Sequence, residues 1–349
     1  MIHLGVYGCG NRTKALLASL RLDKFYSVAA LYDIRREAAL SLQQEYGGVI
    51  CHTPEELIST PGIDAFIISL SPFAHADALR KTFKAEKPIF IEKPVSFSPK
   101  EIKELAETAA KLQIPVQVGF MRRYCAWHRA ALEYMKSNPP GHIFSINCNW
   151  FHTGETEMLQ CLKNCPGNFR LQVSQIPFHC CHALDVMLLY GGPVKQVTAQ
   201  ALKLQKRPYP SPDDLIAILE FTGGAIGEFH YSSMSYLPFE LSYRIHTENY
   251  SMKINFDLKI ANRPRFHTSR ADFENNCSDH YFLFSQAETR SYLNAEKSTT
   301  ENIMFDFIEM VKNRKMPAAD LETAYTVAEL AESIELSAKT GRTIELAHI

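Results

Sequence analysis

The sequence has 349 residues, 46% hydrophobic and 21% charged, with a formal net charge of −1. That length supports a sizeable core and two domains, and the composition is that of a soluble globular protein. The charge balance excludes the broad basic surface needed for nucleic-acid or membrane-surface binding, and no run approaches the roughly eighteen apolar residues of a membrane span.

The opening stretch MIHLGVYGCGNRT lacks the basic leader and apolar core of a signal peptide. The cysteines are odd in number and scattered from Cys9 to Cys277, which reads as reduced thiols packed mostly in the interior. A cytoplasmic protein is expected.

The chain up to Phe120 alternates strand and helix. IHLGVY (2–7) is a strand, TKALLASLRL (13–22) a helix and SVAALYD (27–33) a second strand. RREAALSLQQEYGG (35–48) is a helix stopped by Gly47 and Gly48. In TPEELIS, Thr53, Pro54 and Glu56 form a capping box. IDAFIISL (63–70) is continuously apolar, as a strand covered on both faces must be. AHADALRKTFKAE (74–86) is helical and PIFIE is the next strand. SPKEIKELAETAAKLQ (98–113) opens on a second capping box, Ser98 to Glu101, and IPVQVGF (114–120) closes the series. Strands and helices in alternation predict right-handed crossovers and a parallel sheet.

The pattern then changes. WHRAALEYMKS (127–137) is a helix ending before Asn138-Pro139-Pro140-Gly141. HIFSINCNWFH (142–152) and VKQVTAQALKL (194–204) alternate with period two. DLIAILEFTGGAIGEFHYSSMS (214–235) is a strand pair about Gly223-Gly224, and LSYRIHTENYSMKINFD (241–257) a pair turning at Glu248-Asn249. The aromatic run DHYFLFSQ (279–286) reads as a packed element. Helices TENIMFDFIEMVKNR (300–314) and LETAYTVAELAESIELSAKTG (321–341) follow.

GVYGCGNRT sets Gly8 and Gly10 between the first strand and first helix. Gly8 permits the tight turn, and Gly10 lets the backbone approach a pyrophosphate at the positive helix end. Thr13 stands where the last small residue of G-x-G-x-x-G/A belongs. Asp33 ends the second strand, where an acid binds the ribose hydroxyls of NAD. Arg35 follows and suits the 2′-phosphate of NADP, but Asp33 repels that group, so NAD is expected over NADP. Gly8, Cys9, Gly10, Asn11, Arg12, Asp33 and Arg35 are the expected cofactor groups here. The fold class is therefore α/β: an N-terminal Rossmann dinucleotide-binding domain (1–120) and a C-terminal α/β domain (121–349) with a largely antiparallel open sheet.

On GVYGCGNRT, ALYDIRREAA, IDAFIISLSPFAHADAL, PIFIEKP, VQVGFMRRY, GHIFSI, HALDVMLLYGG and FIEMVKNRKMPAADLETA, the sequence resembles the glucose–fructose oxidoreductase / inositol 2-dehydrogenase family, Gfo/Idh/MocA, over essentially the whole chain. Glu92-Lys93-Pro94 and Met121-Arg122-Arg123-Tyr124 are the most specific parts. The resemblance implies NAD(P)-dependent oxidation or reduction of a sugar, polyol or related hydroxy compound. It also implies a homodimer or homotetramer formed through the second-domain sheet. It makes Lys93 catalytic, makes a cis bond before Pro94 common, and places His75 near the cofactor. Ser69, Leu70 and Ser71 are expected beneath the cofactor. Glu92 is expected to hold Lys93 or to contact the cofactor ring, and Arg122 to reach cofactor or substrate.

Hydride transfer from an alcohol carbon requires removal of the hydroxyl proton and stabilisation of the oxyanion. Lys93, at the carboxyl end of a parallel strand, suits the second task. In PFHCCHALDVMLLYGG, His182 and Asp185 match the His-x-x-Asp part of the family pattern, but the acid that many members carry four residues before the histidine is Phe178. A phenyl ring cannot take or orient a proton, so His182 is expected to act alone as proton shuttle. His179, one helical turn earlier, is expected to assist or bind substrate, and Asp185 to orient His182 or nearby backbone. Lys93, Arg122, His152, His179, His182 and Tyr236 are the expected substrate contacts. No metal is expected: adjacent helical residues point about 100° apart, so His179, Cys180, Cys181 and His182 cannot all face one ion.

The expected function is NAD-dependent hydride transfer to or from a cyclic polyol, sugar or sugar derivative, with no nucleic-acid or membrane partner. Two alternatives stay open: a redox-neutral NAD-dependent glycosidase or lyase-type enzyme, and a non-catalytic dinucleotide-binding regulator.

Overall fold

The computed structural model describes residues 1–20, 26–152, 174–206, 209–255, 258–262, 281–284 and 299–346. Two compact units divide the chain. The first is built on Met1–Met121 and also takes in the late chain through Ala328; the second begins at Arg122 and also takes in the chain from Glu329 onward.

In the first unit, strands β1 (Ile2–Tyr7), β2 (Tyr26–Tyr32), β3 (Val49–Ile50), β4 (Ala65–Ile68), β5 (Ile89–Ile91) and β6 (Val116–Val118) alternate with helices α1 (Asn11–Leu20), α2 (Arg36–Tyr46), α3 (Pro54–Ser59), α4 (Pro72–Thr82) and α5 (Pro99–Leu112). The sheet order is β3-β2-β1-β4-β5-β6, and every neighbouring pair is parallel. β4 and β5 are buried throughout, because helices cover both faces of such a sheet. Helix α5 shows how local sequence sets an element. Ile102, Leu105, Ala106 and Ala109 form its buried stripe at helical spacing, and Ser98 Oγ accepts the Glu101 N–H.

The capping box at Thr53 takes a variant form. Thr53 Oγ1 accepts the Glu56 N–H at 3.1 Å, but Glu56 reaches back to the His52 N–H, at 2.7 Å, one residue beyond the cap. A late helix, Thr299–Asn313, also belongs to this unit. Phe307 meets Phe90 of β5 edge-on at 5.7 Å, and Gln117 Nε2 of β6 donates to the Ile303 carbonyl.

The second unit is a nine-stranded sheet. Its strands are β7 (Ile143–Phe151), β8 (Val194–Leu202), β9 (Asp214–Phe221), β10 (Ile226–Ser232), β11 (Glu240–Thr247), β12 (Tyr250–Ile254), β13 (Leu258–Asn262), β14 (Tyr281–Phe284) and β15 (Ile344–Glu345). The order is β14-β13-β12-β11-β7-β10-β9-β8-β15. All neighbours are antiparallel except β7 and β10, so the sheet is mixed and mostly antiparallel. Both expected hairpins form, β9–β10 and β11–β12. Along β7, Ile146, Cys148 and Trp150 are buried while the residues between them are half-exposed, the period-two signature of a one-sided sheet. Helix Cys181–Gly191 packs on β7. On the sheet's other face Ile216, Ile218 and Ile226 stay exposed.

Six cysteines, Cys9, Cys51, Cys125, Cys148, Cys180 and Cys181, are free and buried, as the composition predicts. Cys161, Cys165 and Cys277 lie outside the described residues. No described helix is long and apolar enough to cross a membrane.

Candidate functional site

The glycine loop is built by close backbone approach. Gly8 sits at φ +100°, and a Cβ there would lie 2.1 Å from the Ser69 carbonyl oxygen of the loop after β4. Only glycine allows β1 and that loop to come so near. Gly10 is different: a Cβ there would meet nothing within 4 Å. Gly10 therefore faces open space beside the first N–H groups of α1, a cradle that fits an anionic phosphate. Thr13, at the position that departs from the glycine pattern, donates through Oγ1 to the Gly8 carbonyl at 2.7 Å. Its hydroxyl ties helix to loop where the usual small residue would only give room.

Asp33 organises the same loop. Its carboxylate accepts the Cys9 N–H and the Arg35 N–H, each at 2.8 Å. The Arg35 side chain is exposed, with Nε 3.7 Å from Asp33 Oδ1. Burial, with Asp33 next, pushes the Cys9 thiol up to about 12, so it stays neutral at physiological pH.

At the end of β5, Glu92, Lys93 and Pro94 follow in turn, and the Lys93–Pro94 peptide is cis. Lys93 is partly buried. Glu92 Oε1 accepts from Arg12 Nε at 2.6 Å, and Oε2 accepts the backbone N–H of Lys93 at 3.3 Å. Glu92 thus joins the strand end to the glycine-loop helix. Gly119 makes room for it, since a Cβ there would lie 2.9 Å from Glu92 Oε2.

His75, expected near the cofactor, spends both ring nitrogens on backbone. Leu70 N–H donates to Nε2 at 3.1 Å, so Nδ1 carries the proton and donates to the Pro94 carbonyl at 2.8 Å. Burial pushes its pKa down. The neutral ring clamps the loop after β4 to the loop after β5. Ser69, Leu70 and Ser71 lie on that first loop, with Ser69 N–H donating to Tyr7 O at 3.0 Å.

The second unit holds the other expected residues. Ile176–Cys180 is a single π turn, followed by helix Cys181–Gly191. The reading of one continuous α-helix is corrected, and with it the premise that His179 lies one regular turn before His182. His179 Nδ1 is 2.7 Å from Gln175 Oε1, and its ring packs on Phe178, with centroids 4.3 Å apart. His182 is buried.

Asp185 does not serve His182. It is fully buried and receives a bidentate ion pair from Arg123: Nη2 to Oδ1 at 2.6 Å, and Nε to Oδ1 and Oδ2 at 2.8 and 2.9 Å. Burial pushes the Asp185 carboxyl up, and Arg123 opposes that shift.

Arg122, the neighbouring arginine, helps hold the buried His128 ring neutral. Burial first, then Arg122, lowers the His128 pKa to about 3. His128 Nδ1 pairs with the Tyr190 hydroxyl at 3.0 Å, and its ring meets Tyr243 edge-on at 5.0 Å. His152 follows β7, its backbone N–H on Ser232 O and its ring beside Tyr231. Tyr236 is 94% exposed.

Sequence reasoning missed Gln175 and His128, and the partner of Arg123. Gln175 carried a faint signal, standing four residues before His179 in a helical stretch. The pairing of Arg123 with Asp185 spans 62 positions and has no local signature.

A parallel sheet in this order, with a glycine turn opening on α1, defines a Rossmann dinucleotide-binding protein. Residues 2–120 match the family model described as oxidoreductase family, NAD-binding Rossmann fold, and residues 177–346 match that of the same family's C-terminal alpha/beta domain. The chain belongs to this family, Gfo/Idh/MocA.

Among curated relatives, glucose-6-phosphate 3-dehydrogenase of Bacillus subtilis is 25% identical over 150 residues, covering 43% of this chain and 42% of that protein. The scyllo-inositol 2-dehydrogenase (NAD(+)) of the same organism is 28% identical over 187 residues, 52% of each. The chain thus spans about half the length, or less, of these relatives. Among solved structures, levoglucosan dehydrogenase in complex with NADH aligns with a TM-score of 0.84 at 17% identity, covering 100% of both chains. The WlbA dehydrogenase from Bordetella pertussis, in complex with NADH and UDP-GlcNAcA, aligns with a TM-score of 0.82 at 17% identity, covering 100% of this chain and 98% of that one. At that identity the structures share the fold.

Proposed function

We propose that this protein is an NAD-dependent dehydrogenase acting on a hydroxyl, or in reverse a carbonyl, of a cyclic polyol, sugar or sugar derivative. The observation that carries the reading lies within the first unit. The glycine loop after β1 and Lys93 after β5 stand at the carboxyl edge of one parallel sheet, tied by the Arg12–Glu92 ion pair at 2.6 Å. Open α/β sheets bind their ligands at that edge. The curated relatives named above act on inositol and on a sugar phosphate, which supports the substrate class.

Gly8, Cys9, Gly10, Asn11 and Arg12 would hold the dinucleotide phosphates, with Asp33 and Arg35 at the ribose and Ser69, Leu70, Ser71, His75 and Glu92 shaping the floor. Bound NAD would supply the hydride acceptor. Asp33 favours NAD over NADP, because a carboxylate repels a 2′-phosphate. Lys93 polarises the reacting oxygen, lowering the hydroxyl pKa in oxidation and donating to the carbonyl in reduction. His182 shuttles the proton. Arg122, His152 and Tyr236 are assigned to the substrate.

The exposed Ile216, Ile218 and Ile226 on the open sheet face support a homo-oligomer assembled through that face. The six buried free thiols support a cytoplasmic setting.

The test incubates purified protein with NAD and a panel of polyols, sugars and glycosides, following NADH absorbance and glycoside cleavage. NADH formation on a polyol or sugar supports the reading. Tight NAD binding with no NADH overturns it, and glycoside cleavage without net NADH would replace it with a redox-neutral enzyme.

A further inference from the structure

Gln175 is 1% exposed and sits at the entry to the π turn. Its backbone is pinned: its N–H donates to Ser211 Oγ at 2.7 Å, and the next N–H, of Ile176, donates to Ser174 Oγ at 3.1 Å. Its side-chain oxygen lies 2.7 Å from His179 Nδ1. An amide oxygen can only accept, so Nδ1 carries the imidazole proton and Nε2 carries the lone pair. Phe178 packs on the same ring at 4.3 Å between centroids and restricts its rotation. His179 is half-buried where His182 is 7% exposed, which makes His179 the more accessible ring of the two.

We propose that Gln175 is a positioning residue that locks His179 in one tautomer, so that Nε2 accepts a hydrogen bond from a substrate hydroxyl. The role rests on the dehydrogenase reading; the tautomer does not. The chemistry follows from the partner being an amide. A carboxylate on Nδ1 would raise the basicity of the ring and favour imidazolium, which has no acceptor. A neutral amide fixes the orientation and adds no charge that would favour imidazolium.

The test has two arms on the full chain. Long-range proton–nitrogen NMR of histidine-labelled protein reads the tautomer without turnover. The wild type is expected to show a protonated Nδ1 and an unprotonated Nε2 for His179, and Gln175→Leu to show both tautomers. An Nε2-protonated ring in the wild type overturns the proposal.

The second arm introduces Gln175→Glu, a near-isosteric change that keeps the contact. The His179 pKa, followed by NMR, is expected to rise by about one unit. The acid limb of kcat/KM on whichever polyol or sugar turns over is expected to rise with it. A purely structural glutamine leaves that limb in place, which overturns the positioning role. The expected tautomer in a protein that turns over nothing on the panel supports the lock and overturns the dehydrogenase reading.

Discussion

The two units build their chemical features in opposite ways. In the first, the features are mainly backbone: a turn that only Gly8 can make, an open place at Gly10, N–H groups at a helix end, and a lysine delivered by a buried strand. In the second, they are side-chain pairs: Arg123 with Asp185, His128 with Tyr190 and Gln175 with His179. Backbone features tolerate change at most positions and fail at a few glycines. Side-chain pairs in a buried setting fail when one partner alone is removed, because the other is left desolvated.

The sharpest way to break this contrast is at Asp185. Asp185→Asn leaves Arg123 buried without its counter-charge and is expected to cost about 3–5 kcal/mol in urea unfolding. Replacing both, as Arg123→Met with Asp185→Leu, is expected to recover most of that loss. Equal losses in the single and double variants would show that the pair is not the unit of stability.

Lys93→Ala is expected to lower kcat by about 10³-fold and leave NADH binding, read by fluorescence, within a few-fold of wild type. A loss confined to binding would move Lys93 from chemistry to cofactor retention.

The two glycines sharpen the backbone side. Gly8→Ala meets the Ser69 carbonyl at 2.1 Å and a left-handed φ, so about 2–3 kcal/mol of stability is expected to disappear. Gly10→Ala meets nothing, so its thermal midpoint is expected to stay put while NAD affinity falls about tenfold, or about 1.4 kcal/mol.

Another effect is a slope. His128 titrates near 6.5 when unfolded and near 3 in the fold, so between those values the unfolded chain binds the extra proton. Its contribution to stability is full above pH 6.5 and is lost as pH falls toward 3, at about 1.4 kcal/mol per pH unit. His128→Gln is expected to flatten that limb in unfolding curves taken across the window; an unchanged slope would place the proton elsewhere.

Much of the first unit was legible because its signals are local. Continuous apolar runs marked strands covered on both faces, Ser98 and Thr53 announced helix starts, and the glycine spacing fell between a strand and a helix. Strand order in the second sheet was not legible, because the pairing of β7 with both β10 and β11 joins segments some eighty to a hundred positions apart. The π turn was hidden because the apolar spacing after Pro177 suits an α-helix. Glu92 was legible as a candidate but not in its partner: Arg12 lies 80 positions away, whereas Lys93 lay next to it on the page. Phe178 was legible as a departure, and the Gln175–His179 contact shows what stands beside it.

The central claim is that this chain moves a hydride between a substrate carbon and NAD. Inositol and sugars carrying deuterium at the carbinol carbons, incubated with the protein and NAD, test it most directly when the nicotinamide is recovered and weighed by mass spectrometry. The account predicts deuterium on the recovered nicotinamide in step with oxidised product, and far less with Lys93→Ala. Tight NAD binding with an unlabelled nicotinamide across the whole panel would contradict it.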